Sequence, residues 1–362
     1  MQSRIIKLRE IAEQTGVDAI ALIPGPNLYY LTGSNHHAME RPFILFVPRH
    51  GEPVGVLPSL EADNLAQHFD AKLYRWTDDE GYNNAFAAAL KELNLKSLGV
   101  EGQKMRYFES EILQRHAPDL EIRSIDKELS YFRIAKSADD LAKLKKAIEI
   151  SEQALNMTLD QVRVGMTERQ IASRLMMNLY SAGGEGLSFT PIVLGGANSA
   201  LPHGHPGDYV LKEGDTLLFD FGAIYGGYLA DITRTFFLGE PSDHHKAVYN
   251  AVKAANEAGR KAAKPGVTAE SVDAAARQAM VDAGFEQYIV HRTGHGLGLE
   301  AHEHPNIVKG NTQILEPGMV FTIEPGLYLV GDIGVRIEDN MVITQDGAQS
   351  LTEYPRDIQV IK

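Results

Sequence analysis

Short apolar runs and amphipathic stretches alternate along the first third of the chain. Runs at Asp18–Ile23, Phe43–Val47, Pro53–Leu57, Lys72–Trp76, Ser97–Val100 and Glu121–Ile125 have the length and composition of strands. Between them, stretches such as Leu60–His68 and Asn83–Leu93 carry apolar residues at helical spacing. The alternation predicts an α/β layer on a parallel or mixed sheet. Near Tyr131–Asp140 the pattern changes. Ser137, with Asp140 three residues on, has the form of a helix N-cap. Leu141, Leu144, Ile148 and Leu155 then recur at helical spacing, with Lys and Glu on the other face. Two domains are expected, residues 1–130 and 131–362, since 362 residues exceed one ordinary core.

The second domain repeats itself. Gly165-Met166-Thr167 and Gly266-Val267-Thr268, 101 residues apart, each open a helix that closes at an Ala-Gly, Ala182-Gly183 and Ala283-Gly284. The threonines suit N-caps and the glycines C-terminal caps. Further on, the stretch from Gly214 through Asp220 to Gly222 parallels that from Gly318 through Glu324 to Gly326, at an offset of 104. Each reads as a Gly, five mostly apolar strand residues, an acid, one residue and a second Gly. Two matching pairs at nearly one offset predict a duplicated α+β half-domain, with Asp220 and Glu324 facing across a pseudo-twofold.

Those acids stand where acids are costly. Asp220 ends the apolar run Thr216–Phe219, and Asp231 lies in a second strand beyond the turn residues Tyr225-Gly226-Gly227-Tyr228. A hairpin there brings Asp220 opposite or diagonal to Asp231, within about 4.5–8 Å. Glu324 and Glu338 repeat the design around the turn Gly331-Asp332-Ile333-Gly334. One such acid is readily explained by a salt bridge or a turn cap. Four related by a repeat are not, and Arg234 and Arg336 are too few to neutralise them. Two divalent ions about 3.5–4 Å apart, bridged by carboxylates, meet the need.

Histidines sharpen this. Six of 13 lie in two windows: His203 and His205 in LPHGHP, and His291, His295, His302 and His304 in HRTGHGLGLEAHEHP. The glycines flanking His295 permit a close backbone approach. One imidazole with four carboxylates suits Mn²⁺, Co²⁺ or Zn²⁺ in a hydrolytic enzyme better than a structural zinc. His244 and His245 read as surface residues. The glycine clusters at Gly195-Gly196 and Gly294–Gly298 lack the sequence of a phosphate loop, and there is no Gly-x-Ser-x-Gly nucleophile elbow.

Composition then excludes whole classes. At 44% hydrophobic and 23% charged residues the chain is neither a disordered tail nor a membrane protein, and no apolar run approaches the roughly 18–20 residues of a bilayer span. Absence of cysteine removes disulfides, thiolate metal sites and a cysteine nucleophile. A formal charge of −13 argues against a nucleic-acid partner. The opening MQSRIIKLREIAEQTG is a charged amphipathic helix without the apolar stretch of a secretory signal, so a cytoplasmic location is expected.

With these positions laid out, the sequence resembles the pita-bread metallopeptidases: prolidase, aminopeptidase P, methionine aminopeptidase and the non-metal creatinase. The resemblance rests on Asp220-Phe-Gly, Ala230-Asp231-Ile-Thr-Arg-Thr, Gly294-His295-Gly-Leu-Gly-Leu-Glu, His302-Glu303, Ile323-Glu324-Pro-Gly and Val335-Arg336-Ile-Glu338. It implies a C-terminal pita-bread domain with an internal pseudo-twofold, preceded by a smaller α/β creatinase-like domain. It implies that Asp220, Asp231, His295, Glu324 and Glu338 hold two divalent metal ions, Mn²⁺, Co²⁺ or Zn²⁺, with Asp231 and Glu338 bridging. It implies a bridging water or hydroxide as nucleophile and Glu324 as the carboxylate that takes its proton. His291 and His302 match the pair that lines the substrate and stabilises the tetrahedral intermediate. His203 matches a histidine near the scissile nitrogen, and Arg336 an arginine that supports the bridging acids or receives a substrate carboxylate.

The N-terminal domain and its motif Asn27-Leu-Tyr-Tyr-Leu-Thr-Gly33 point to the prolidase, aminopeptidase P and creatinase branch rather than to methionine aminopeptidases. In that branch the domain mediates dimerisation, so a homodimer is expected, with His36, His37 and Arg41 as candidates for contacting substrate across it. The expected activity is hydrolysis of Xaa-Pro bonds in small peptides with proline second, as an Xaa-Pro dipeptidase. Rival readings are an Xaa-Pro aminopeptidase acting on longer peptides, a same-scaffold hydrolase of a non-peptide amide, and a non-catalytic peptide-binding protein.

Overall fold

The computed structural model describes residues 2–361. They form two compact units that part between Arg133 and Ile134. The first unit is a mixed sheet clothed by helices on both faces. Its elements run α1 (Gln2–Thr15), β1 (Ala19–Leu22), α2 (Pro26–Thr32), β2 (Ile44–Pro48), β3 (Val54–Pro58), α3 (Ser59–His68), β4 (Lys72–Trp76), α4 (Asn83–Leu93), β5 (Ser97–Val100), α5 (Tyr107–His116), β6 (Glu121–Ser124) and α6 (Asp126–Arg133). All six expected strands form, in the order β4-β3-β2-β1-β5-β6. β1–β2 and β2–β3 are antiparallel; the other three pairings are parallel.

Central strands read as continuous apolar runs because both faces are covered. Ile20 and Leu22 of β1 join Leu8, Ile11, Leu65 and Phe132 on one side. Ala19 and Ala21 join Phe86, Leu90, Ile112 and Leu113 on the other. The edge strands β4 and β6 instead expose Lys72, Arg75, Glu121 and Arg123, charges that discourage edge-to-edge pairing.

In the second unit, α7 (Ala138–Leu159) starts at the expected cap: Ser137 Oγ accepts from the Asp140 N–H, and the Asp140 carboxylate accepts from the Ser137 N–H. Then follow α8 (Glu168–Ser181), β7 (Gly186–Leu187), β8 (Ile192–Gly195), β9 (Thr216–Phe221), β10 (Ala223–Tyr225), β11 (Tyr228–Leu229), β12 (Ile232–Leu238), α9 (Asp243–Ala262) and α10 (Ala269–Asp282). The chain continues through β13 (Gly294–Gly296), β14 (Glu303–Ile307), β15 (Val320–Ile323), β16 (Gly326–Leu329), β17 (Ile333–Arg336), β18 (Asp339–Ile343), β19 (Ala348–Ser350) and β20 (Val360–Ile361). Two sheets, β20-β12-β9-β8 and β14-β13-β15-β18-β19, carry the two halves.

The repeat is visible in the backbone. Thr167 bridges Val210 and Thr268 bridges Ile314, both antiparallel. Gly165 N–H donates to Leu211 O, as Gly266 N–H does to Leu315 O, each at 2.9 Å. Side chains differ. Thr167 Oγ1 caps α8 and Gln170 reaches back to it, but Thr268 makes no side-chain cap on α10. The third residue of α10 is Ser271, too short to complete a capping box, and its hydroxyl donates to Thr268 O instead.

A second departure concerns the turn before Glu338. Leu329 pairs with Ile333, so the turn is Val330–Asp332, and Ile333 and Gly334 belong to β17. Gly334 serves proximity rather than turning: a Cβ there would lie 1.9 Å from Ser199 O. The Gly334→Ala protein is therefore expected to lose roughly 1–3 kcal/mol of stability, as overpacked cores do. Thermal denaturation checks this, and an unchanged melting temperature would mean that the strand has room to spare.

Candidate active site

Five side chains converge where the strands of the two halves end. Asp220 is the fifth residue of β9 and pairs across to Thr233 of β12, which places Asp231, two residues earlier, diagonally to it. β10 and β11 close the hairpin through Gly226-Gly227, as expected. In the other half β15 pairs Ile323 with Asp339 and β16 pairs Gly326 with Arg336, so Glu324 falls directly opposite Glu338. His295 is the middle residue of β13. Its neighbours are glycines because β13 is squeezed between strands: a Cβ on Gly294 would sit 1.9 Å from Thr322 O, and one on Gly296 2.1 Å from His304 O. What those glycines approach is backbone.

Backbone bonds hold each of these positions. Asn340 donates from Nδ2 to Asp231 O at 2.6 Å and accepts from the Asp231 N–H at 3.3 Å. Glu324 N–H donates to Thr293 O and Glu338 N–H to Thr233 O. From α9, Asn256 Nδ2 donates to the carbonyls of Ile323 and Ile337, the residues preceding the two glutamates.

His295 lies 3.1 Å from Glu324 and 3.7 Å from Asp231 through Nε2, while Nδ1 donates to Gly296 O. That backbone bond fixes the ring so that Nε2 faces the acids. Ligand atoms of Asp231, His295 and Glu338 all lie within 4.8 Å of one another. Thr233 Oγ1 donates to one oxygen of Glu338 at 2.6 Å, and Arg336 pairs with one oxygen of Asp220. The other oxygens, Asp220 Oδ1 and Glu338 Oε1, are sealed from solvent and bond to nothing among the described residues.

Burial, then the charges of Glu338 and Asp220, push the Asp231 carboxyl well above the usual carboxylate range. Burial, then Glu324 and Asp220, do the same to Glu338. Asp220 is also raised by burial, although Arg336 opposes the shift. Burial acts on Glu324 too, but the hydrogen bond and charge of His295 outweigh it and hold the group at about 2. Asp220, Asp231 and Glu338 thus favour their protonated forms.

The expected neutralising arginines divide their work differently from the sequence reading. Arg234 does not face the cluster. Its guanidinium donates to Glu338 O and Thr233 O and pairs at 2.7 Å with Asp339, a fully buried carboxylate that also receives Arg356. Among the described residues only Arg336 serves the acids, and it is engaged with Asp220, Thr233, Tyr328 and Pro202 O.

Around the acids lies a cavity of about 490 Å³ whose wall also includes His203, His291, His302 and Arg336, with apolar Phe189, Ile192 and Pro202. His291 Nε2 is 2.8 Å from Tyr328 OH, which accepts from Arg336 at 2.6 Å. Burial pushes His291 down, and burial with the nearby His295 charge pushes His302 down to about 4, so both are neutral at pH 7. Glu168 of α8 ties both ends of the His203 loop, accepting from Gly195 N–H and Gly207 N–H at 2.8 Å.

Tyr328 and Thr322 were not legible as site residues. Thr322 accepts from the His295 N–H and donates to Glu324. Thr233 carried a signal, since it lies two residues past Asp231 on the same strand face.

Other sequence candidates have surroundings of their own. His36 is buried in the first unit, its ring 2.7 Å from both Ser34 Oγ and Glu61 Oε2, and Arg41 forks onto Asp78. His37 is exposed. His205 and His304 are exposed and do not line the cavity, and His244 and His245 both meet Asp332 at the surface.

A cavity floored by carboxylates and one imidazole, on a duplicated α+β scaffold, has the donor set of a candidate metal centre. Comparison with known proteins agrees. Residues 142–345 match metallopeptidase family M24 and residues 4–135 match the creatinase/prolidase N-terminal domain, and the chain belongs to that metallopeptidase family. Among solved structures, an Xaa-Pro dipeptidase from Bacillus anthracis is 30% identical, with a TM-score of 0.93 covering 99% of both chains. A prolidase from Thermococcus sibiricus is 35% identical, with a TM-score of 0.93 covering 99% of this chain and 98% of its own. An Xaa-Pro aminopeptidase from Thermotoga maritima is 34% identical, with a TM-score of 0.87 covering 97% and 100%. No helix among the described residues is long and apolar enough to cross a membrane.

The proton load of the cluster gives a signed prediction. Carboxyls raised by folding contribute stability that is present below the unfolded value near 4 and is lost as pH rises through their folded values. Metal-stripped protein is therefore expected to melt lower as pH rises above about 4. Mn²⁺ should raise the melting temperature more at pH 8 than at pH 6, with proton release on binding. Glu338→Gln should raise the melting temperature of the stripped protein and abolish the Mn²⁺ response. Calorimetry in two buffers of different ionisation enthalpy reads the protons, and a pH-independent Mn²⁺ response would contradict this electrostatic account.

Proposed function

We propose that the chain is an Xaa-Pro dipeptidase working with two divalent metal ions held by Asp220, Asp231, His295, Glu324 and Glu338. The observation that carries this reading is the pair of sealed, unpartnered oxygens on Asp220 and Glu338, inside a cluster that holds back protons. Four carboxylates and one imidazole form a hard to borderline donor set that Mn²⁺, Co²⁺ and Zn²⁺ accept, and two dications balance four ionised acids. When bound, such ions would polarise the substrate carbonyl and lower the pKa of water.

The chain's own residues supply the rest. Glu324, beside His295, is placed to take a proton from water and pass it to the leaving prolyl nitrogen. His302, neutral at pH 7, faces the cavity as a hydrogen-bonding group for the carbonyl oxygen as it gains charge. His291, whose Nδ1 donates to Arg292 O and whose Nε2 accepts from Tyr328 OH, lines the substrate space. Arg336, spread over Asp220, Thr233 and Tyr328, is a fixed positive charge that orients the acids. Phe189, Ile192 and Pro202 offer an apolar wall to a pyrrolidine ring. A tertiary prolyl amide has no N–H for a strand-like protease to grip, so recognition by a metal cluster and an apolar wall suits it. The named dipeptidase and prolidase among the structural relatives, at TM-scores of 0.93, support the dipeptide reading over longer substrates.

Ala-Pro, Met-Pro and Ala-Pro-Ala, assayed with added Mn²⁺, Co²⁺ or Zn²⁺, test this directly. Metal-dependent release of proline from the dipeptides, with slower attack on the tripeptide, is expected. Tripeptide cleavage at the dipeptide rate would move the assignment to an aminopeptidase, and no proline from any substrate would reject both. Glu324→Gln should lower kcat at least about 100-fold with the fold intact by circular dichroism.

A further inference from the structure

We propose that a second cavity of the metallopeptidase unit, between α9 and the β18–β19 hairpin, binds a phosphate group. This cavity measures about 290 Å³ and shares no lining residue with the candidate active site. Lys253, Glu257, Arg260 and Lys261 reach it from one face of α9, at the helical spacing i, i+4, i+7 and i+8. Arg356 faces them from the other side.

Arg260 is the telling residue. It is only partly exposed, it makes no hydrogen bond or ion pair with any described residue, and its Nε is sealed from solvent without a partner. A guanidinium presents five donors in a planar fork, so leaving the sealed Nε–H without a partner beside other cations is costly. Burial and then the neighbouring Arg356 charge push Arg260 below its ordinary value, the sign of a cation short of anions.

Charges around the cavity set the sign of the missing partner. Lys253 is held by Asp357 and Lys261 by Glu257, each at 2.5 Å. Arg234 and Arg356 share the single buried carboxylate of Asp339. The four cations that line the cavity, Lys253, Arg260, Lys261 and Arg356, thus have Asp357, Glu257 and a share of Asp339 between them, an excess of positive charge within a chain whose net charge is −13. An anion restores balance, and a tetrahedral phosphate offers the paired oxygens that a guanidinium fork binds best. The volume leaves room for a small group esterified to the phosphate. The site also sits one helical turn beyond Asn256, which holds the strands bearing Glu324 and Glu338.

Calorimetric titration of full-length, metal-loaded protein with inorganic phosphate and with a sugar phosphate tests the site. Wild type should bind at least one of them saturably, with a Kd of about 1 mM or below. Arg260→Gln should weaken that binding about 10- to 100-fold, the worth of a charge-assisted hydrogen bond. Lys261→Gln should weaken it in the same direction and serves if the first variant is unstable. Phosphate held at the metal centre would appear equally in all three proteins, so the difference isolates this cavity. Tighter binding of the ester would identify a phosphorylated metabolite as ligand, and tighter binding of the free ion would identify inorganic phosphate. Without anion, Arg260→Gln should melt no lower than wild type, because it removes an unpaired cation. Identical isotherms for wild type and both variants, or no saturation of wild type up to about 10 mM, would overturn the proposal. The titration uses no peptide, so its failure leaves the peptidase reading untouched.

Discussion

Electrostatic self-repulsion among four buried carboxylates is the constraint around which the second unit is arranged. Moving one ionised carboxylate out of water costs several kcal/mol unless it is paired. The chain shows that it can meet that cost when pairing is the purpose. Asp339, wholly buried, receives Arg234 and Arg356 and is held below the usual carboxylate range against the effect of burial. Its neighbour Glu338 receives one threonine hydroxyl, keeps an oxygen without a partner and is held above that range. Adjacent residues with opposite provision leave the second as a candidate ligand for an external cation.

The scaffold keeps that arrangement from relaxing. Asn340 locks the backbone of Asp231, Asn256 binds the carbonyls before both glutamates, and Arg234 donates to Glu338 O. These bonds run between segments 67 to 109 residues apart. The acids therefore cannot drift apart to relieve their repulsion, and the preorganisation that a catalytic site requires is provided by the polypeptide alone.

Much of this was legible in the sequence because it is periodic. Strand alternation, the helix cap at Ser137 and the two acid-bearing strands follow local rules, and the 101- and 104-residue offsets tied the halves together. What stayed hidden depends on contacts between distant segments. Tyr328 looks like any strand aromatic until β16 folds back onto β17 and its hydroxyl meets both His291 and Arg336. Arg234 looks like a counter-ion for the cluster, since only the fold reveals Asp339 as its partner. The turn before Glu338 was misplaced because Gly334 suggested bending, whereas the fold uses it to let Ser199 come close.

The halves match in backbone but not in register. Asp220 and Asp231 lie diagonally across their hairpin, whereas Glu324 and Glu338 lie face to face. Two identical half-chains related by a true twofold axis could never differ in this way, because any shift in one strand would be copied into the other. Fusion into a single polypeptide frees each half to slip by two residues, the strand repeat, on its own. An inherited symmetric cleft thereby acquires a direction, with one end that differs chemically from the other, as any device must that tells the two ends of a short substrate apart.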